Sequence, residues 1–142
     1  LDEKAKNHAA QSFVGEADFS SFRAANCQSN SPMRNVMSVG VQRYNEIVAI
    51  DIKANAFLHH MVRNIVGTLL DIGSGEKPIS WIAQLMSKND RTLAGITAPP
   101  NGLFLVNVDY PVGAGIPAPP RLPHYLQFID LCGVRSGDQR KD

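Results

Sequence analysis

The chain has 142 residues, 44% of them hydrophobic and 19% charged, which suits one domain with a core and excludes a disordered tail. Its net charge is +1, so no large basic field announces a nucleic-acid partner. Cys27 and Cys132 lack C-x-x-C spacing, which argues against a disulfide-rich scaffold and a standard zinc site, and no apolar run approaches the ~20 residues that cross a bilayer.

In chain order, residues 2–14 are predicted as a helix: Asp2 and Glu3 favour its positive end, Ala9, Ala10, Phe13 and Val14 keep a helical apolar spacing, and Gly15 stops it. Asp18-Phe19-Ser20-Ser21-Phe22 is a loop or short turn with two aromatic anchors, and residues 26–32 form a polar loop. Val36 to Tyr44 and Ile47 to Lys53 alternate as strands, joined by Asn45-Glu46 with the length of a two-residue hairpin turn. Residues 57–72 switch to a helical period: Leu58, Met61, Val62, Ile65, Leu69 and Ile72 fall within an arc of about 100°. Gly73-Ser74-Gly75 ends that helix, and Ser80 caps another over Trp81 to Ser87. Asp90 or Thr92 begins a short helical turn. Pro99-Pro100-Asn101-Gly102 is a turn, and Leu103 to Tyr110 alternates as a strand. Five of the nine prolines crowd residues 111–123, an extended connection; Tyr125 to Leu131 is a candidate short helix, and residues 133–142 are polar and frayed. Helix, hairpin, long helix, helix, strand is the order of an α+β fold, a mainly antiparallel sheet with helices packed on one face.

The informative stretch is Asn55 to Gly67. On a helix His59 and Arg63 form an i,i+4 pair, displaced from the apolar stripe. Gly67 follows one turn later, and a mid-helix glycine costs about 1 kcal/mol relative to alanine, so something approaches the backbone closely there. An arginine held at such an edge suits a carboxylate or a phosphate, although most helix-edge arginines are merely solvated. His59 and His60 are adjacent and lack the His-x-x-x-His spacing of a metal pair, so no metal is expected. Neither H-E-x-x-H, G-x-S-x-G, a P-loop nor G-x-G-x-x-G occurs. Charge is uneven: residues 21–63 carry five basic groups (Arg23, Arg34, Arg43, Lys53, Arg63) against Glu46 and Asp51. Leu1-Asp2-Glu3-Lys4 holds no apolar signal core, so a soluble, cytoplasmic protein is expected, and the first residue, not a Met, hints at a fragment.

The run Phe57-Leu58-His59-His60-Met61-Val62-Arg63-Asn64-Ile65-Val66-Gly67 resembles the C-terminal motif of the tRNA pseudouridine synthase family. Gly15-Glu16-Ala17-Asp18-Phe19-Ser20-Ser21-Phe22 is similar to the family segment G-E-H-D-F-S-S-F, with Ala17 in place of histidine. Asp90-Arg91-Thr92-Leu93-Ala94 and Gly102-Leu103-Phe104-Leu105-Val106 resemble its D-R-T-x-A and G-L-x-L segments, and Asp109-Tyr110-Pro111 closes the pattern. The resemblance covers about residues 8–125. It implies half of a pseudouridine synthase fold, a C-terminal domain over residues 1–125 with a tail over 126–142. It also implies isomerisation of uridine in the tRNA anticodon stem-loop, without cofactor or metal, in a homodimer.

The family's catalytic aspartate lies in an R-T-D-x-G motif that this sequence lacks; in Arg91-Thr92-Leu93-Ala94-Gly95 a leucine stands at the carboxylate's place. The aspartate is therefore expected in an N-terminal half, and this chain alone is expected to be inactive. Arg63 matches the arginine that pairs with that aspartate, and Leu103 the leucine lining the uracil pocket. Arg23, Arg34, Arg43 and Lys53 are candidates for phosphate contacts, and His59 is the accompanying candidate on the substrate side. The alternative readings are a non-catalytic RNA-binding or assembly module with the same fold, or a small α+β domain with an unrelated partner.

Overall fold

The structure is a computed structural model that describes residues 2–109. The expected proline-rich connection over 111–123, the candidate helix 125–131, the tail and Cys132 lie outside the described residues.

Helix α1 spans Glu3–Ala10, started by Asp2, whose carboxylate accepts from the backbone N–H groups of Lys4 and Ala5 at 2.9 and 3.0 Å. A single 3-10 turn over Gln11–Phe13 follows, so the expected helix over 2–14 is tighter at its end. Gly15 does not simply stop it. With φ +115 it opens a strand that the sequence reading lacked, β1 (Gly15–Asp18), which turns back to pair antiparallel with β2. Four residues with little alternation carry too weak a period to be read; the partner strand makes them a strand.

Strands β2 (Met33–Tyr44) and β3 (Ile47–Ala54) form the expected hairpin. Asn45, at φ 57, supplies the left-handed residue of its turn, a conformation asparagine tolerates better than most side chains. The sheet order is β1-β2-β3, all antiparallel. A register irregularity at Val36/Ser38 divides β2; beyond it, Val39 pairs with Ile52 and Val41 with Ile50, forming the face beneath the helices.

Helix α2 (Met61–Gly73) and helix α3 (Trp81–Lys88) complete the core. Met61, Ile65, Leu69 and Ile72 are buried on α2, and Ile82 and Leu85 on α3. Beneath them Phe13, Phe19 and Phe22 cluster, with Phe13 and Phe22 edge-to-face at 5.1 Å between centroids. The end of α2 is a paired terminus: Gly75, at φ 85, donates to the Ile72 carbonyl, and Glu76 N–H donates to that of Asp71. Glycine also serves packing at Gly73, where a Cβ would meet the buried Lys6 stem at 2.2 Å.

Further expectations need correction. Ser80 precedes α3, but its backbone is already helical and its side chain makes no capping hydrogen bond. The 57–72 helix begins only at Met61, because His60 takes φ 59 and breaks the helical path ahead of it. Residues 103–109 carry no regular structure, contrary to the strand expected over Leu103 to Tyr110. Leu103 is 48% and Leu105 77% exposed. Alternation marks a segment able to be a strand, but a strand needs backbone pairing with another, and among the described residues no strand pairs with this segment. No helix among the described residues is long and apolar enough to cross a membrane.

Candidate active site

The start of α2 sets the site. Cys27 Sγ accepts from the backbone N–H of His59 at 3.4 Å, and the His59 carbonyl accepts from Ala24 N–H at 3.1 Å, tying the 23–34 loop to this corner. The chain then enters its left-handed step at His60, and the next residues turn into the helix, with Asn64 N–H donating to the His60 carbonyl at 2.9 Å. His59 is therefore not one helical turn below Arg63, as the i,i+4 reading required. Instead the His59 and His60 rings stack at 3.9 Å between centroids, and His60 Nε2 lies 3.2 Å from Arg63 Nη1.

Arg63 is anchored from a second side. Its Nε donates to the Ala98 carbonyl at 2.7 Å, while Ala98 N–H donates to the Arg63 carbonyl at 3.1 Å. Among the described residues no carboxylate pairs with it. The guanidinium is thus held by neutral acceptors, which orient it without cancelling its charge. A guanidinium as donor requires the neutral form of His60, with Nε2 as acceptor. Burial, then the nearby His59 and Arg63, hold the His60 pKa below its ordinary value, in favour of that form.

The strap carrying Ala98 is clamped by Asn64, Gly67, Thr68 and Arg91. Gly67 is where it crosses: a Cβ there would lie 1.7 Å from the Ile96 carbonyl oxygen. The close approach expected at this glycine is real, and the occupant is the chain itself. Gly95 fits against Thr68 in the same way, its N–H donating to Thr68 Oγ1 at 3.0 Å. Arg91 donates to the Gly95 carbonyl, to Asn64 Oδ1 and to Thr97 Oγ1, each at 2.9 Å. Fully buried Asn64 donates to the Phe22 carbonyl at 2.8 Å and accepts from Thr97 Oγ1 at 2.5 Å. Arg91 is thus a structural clamp, and Leu93 beside it is 46% exposed. The two glycines were the readable signal for this crossing; the buried amide at Asn64 had none.

The other candidates scatter. Arg23 donates to the carbonyls of Ser29 and Cys27, and Arg34 to those of Ser31 and Met33 and to Ser29 Oγ, so both shape the 23–34 loop from within. Arg43 pairs with Glu3 at 3.2 Å near the hairpin tip, nine residues along β2 from Arg34 and so roughly 30 Å away. Lys53 pairs with Asp109 at 2.9 Å. Leu103 follows the Pro100–Gly102 turn, half-exposed and outside any sheet. Among the described residues no group of three His, Cys, Asp or Glu side chains could hold a metal ion.

The described residues thus form an α+β layer that presents an oriented guanidinium paired with no carboxylate among them. The family model of tRNA pseudouridine synthases matches residues 9–111, and the chain belongs to that family. It is similar to the tRNA pseudouridine synthase A of Enterobacter sp. (strain 638), 56% identical over 126 residues, covering 89% of this chain and 47% of the relative. It is likewise similar to those of Klebsiella pneumoniae (strain 342), 54% identical with the same coverage, and Tolumonas auensis, 56% identical over 117 residues, 82% of this chain and 45% of the relative. The chain spans about half the length of the curated relatives it matches.

Proposed function

We propose that this chain is the C-terminal part of a synthase that converts uridine to pseudouridine in the tRNA anticodon stem-loop. The observation that carries this is the Arg63 guanidinium, fixed by Ala98 and His60 on the family's helix and lacking a carboxylate partner among the described residues. The reaction breaks the N1–C1′ bond, forms C5–C1′ and exchanges the C5 proton for one on N1, so atoms balance without a redox cofactor. An aspartate from the N-terminal half provides the carboxylate. Arg63 beside it keeps it ionised, the form needed for attack on the ribose or for proton abstraction.

The glycosidic carbon is shielded in a stacked helix, so the target base leaves the stack, and Leu103 gives the uracil an apolar wall. Arg23 and Arg34 act on the RNA through the loop they shape, while Arg43 and Lys53 reach phosphates only by leaving Glu3 and Asp109. The active species is a cytoplasmic homodimer with a shared cleft, working without metal, and its domain in this chain runs to about residue 125.

Tritium release from 5-tritiated uridine in bulk tRNA tests the reading, using this chain alone and the complete protein. Release by the complete protein only is expected. Release by the chain alone would place the reacting carboxylate within residues 1–142, and tRNA binding without release by the complete protein would make it a binding module.

A further inference from the structure

Next to the Arg63 corner lies a hollow of about 530 Å³ lined by Asn26, Cys27, Gln28, Ser29, Phe57 and His59. We propose that it takes a second unstacked nucleobase of the RNA, a neighbour of the reacting uridine; this rests on the reading above and adds a subsite to it. Its volume lies within the range of small-ligand clefts, about 300–1,000 Å³.

The walls carry two kinds of recognition chemistry. Phe57, 39% exposed, and the exposed His59 ring offer flat faces for stacking. The side-chain amides of Asn26 and Gln28 are exposed and have no partner among the described residues, so donors and acceptors are free to read a base edge. The loop that presents them is held in shape: Arg23 and Arg34 gather the carbonyls of Cys27, Ser29, Ser31 and Met33, and Cys27 Sγ accepts from the His59 backbone. Those two guanidiniums turn Arg23 Nη2 and Arg34 Nη1 and Nη2 onto loop carbonyls and Ser29 Oγ, and no arginine or lysine side chain lines the hollow itself. The hollow therefore suits a π-face and a polar edge better than a phosphate, whose recognition needs free cationic donors.

Its position couples it to the chemistry. His59 forms the wall and stacks on His60, and His60 in turn contacts Arg63 Nη1. A base laid on His59 extends that stack, holding the His60 ring in the plane from which it orients Arg63. Filling the subsite with the correct neighbour thus favours the productive arginine geometry.

The test uses the complete synthase and an anticodon stem-loop carrying single abasic substitutions scanned outside the target uridine. Affinity is measured for the wild-type protein, Phe57→Ala and Gln28→Ala, with circular dichroism confirming fold. One abasic position should weaken wild-type binding about tenfold, in the range of a single base–aromatic stack, and cause little further loss in Phe57→Ala, because both changes delete the same contact. Full additivity at every position in both variants overturns the subsite. It also falls if neither variant loses affinity. Absence of wild-type stem-loop binding would instead overturn the synthase reading itself.

Discussion

Arg63 and His60 show how much one residue pair is asked to do. In the complete protein, Arg63→Ala should abolish turnover while lowering tRNA affinity by less than about tenfold, the pattern of a group acting in the transition state more than in binding; single-turnover assays beside filter binding would show it. Unchanged turnover would remove Arg63 from the mechanism. His60 sets a pH limit. Its neutral form accepts from Arg63, and its pKa in the fold lies below the ordinary 6.5. The contact and its share of stability are therefore fully present above about pH 6.5 and are lost as pH falls through the lower folded value. Protonation would also set imidazolium against the Arg63 guanidinium, with the stacked His59 on its other face. His60→Asn keeps a side chain that tolerates positive φ and an amide oxygen able to accept. It should leave activity near pH 7.5 within about threefold and erase the acid limb of the kcat profile; an unchanged acid limb would assign that limb to another group.

Among the elements, the crossing of residues 95–98 over α2 is the decisive one. Gly67→Ala forces a Cβ into the Ile96 carbonyl, a backbone group unable to yield cheaply. It should destabilise the protein by about 3 kcal/mol, the upper part of the overpacking range, read as a lower urea midpoint. Activity should fall beyond what lost stability explains, because the strap carries the Ala98 carbonyl that fixes Arg63. Arg91→Met removes three donated hydrogen bonds and leaves the side-chain Oδ1 of buried Asn64 with Thr97 alone. A loss of about 1–3 kcal/mol is expected for that under-satisfied buried group, with thermal denaturation as the measurement; a change within ±0.5 kcal/mol would deny the clamp.

At the scale of the molecule, a strand-patterned segment is left unpaired among the described residues. Leu103, Phe104, Leu105 and Val108 are all at least 40% exposed, which an ordinary core strand would not be. Hydrogen exchange should find the amides of residues 104–108 fast in the isolated chain and protected in the complete synthase, where the remaining half would give the segment a sheet neighbour. Equal protection in both would show that the segment needs nothing from outside.

Local chemistry made much of this legible in advance. Strand alternation in β2 and β3, the apolar stripe of α2 and the Gly73–Gly75 stop are patterns within a few residues of each other, and the structure has them. Gly67 announced a close approach because glycine in mid-helix has a cost that packing must offset. The family motifs around Arg63 likewise needed no coordinates. What required tertiary structure was every partner distant along the chain. Gly15–Asp18 is a strand only because β2 lies beside it, and His60, not His59, meets Arg63 only because one left-handed residue delays the helix. Asn64, Arg91 and Thr97 become one network through contacts 27 and 33 residues apart. Periodicity records which face of an element is buried, whereas hydrogen-bond geometry depends on where another segment arrives, and that is decided by folding in three dimensions.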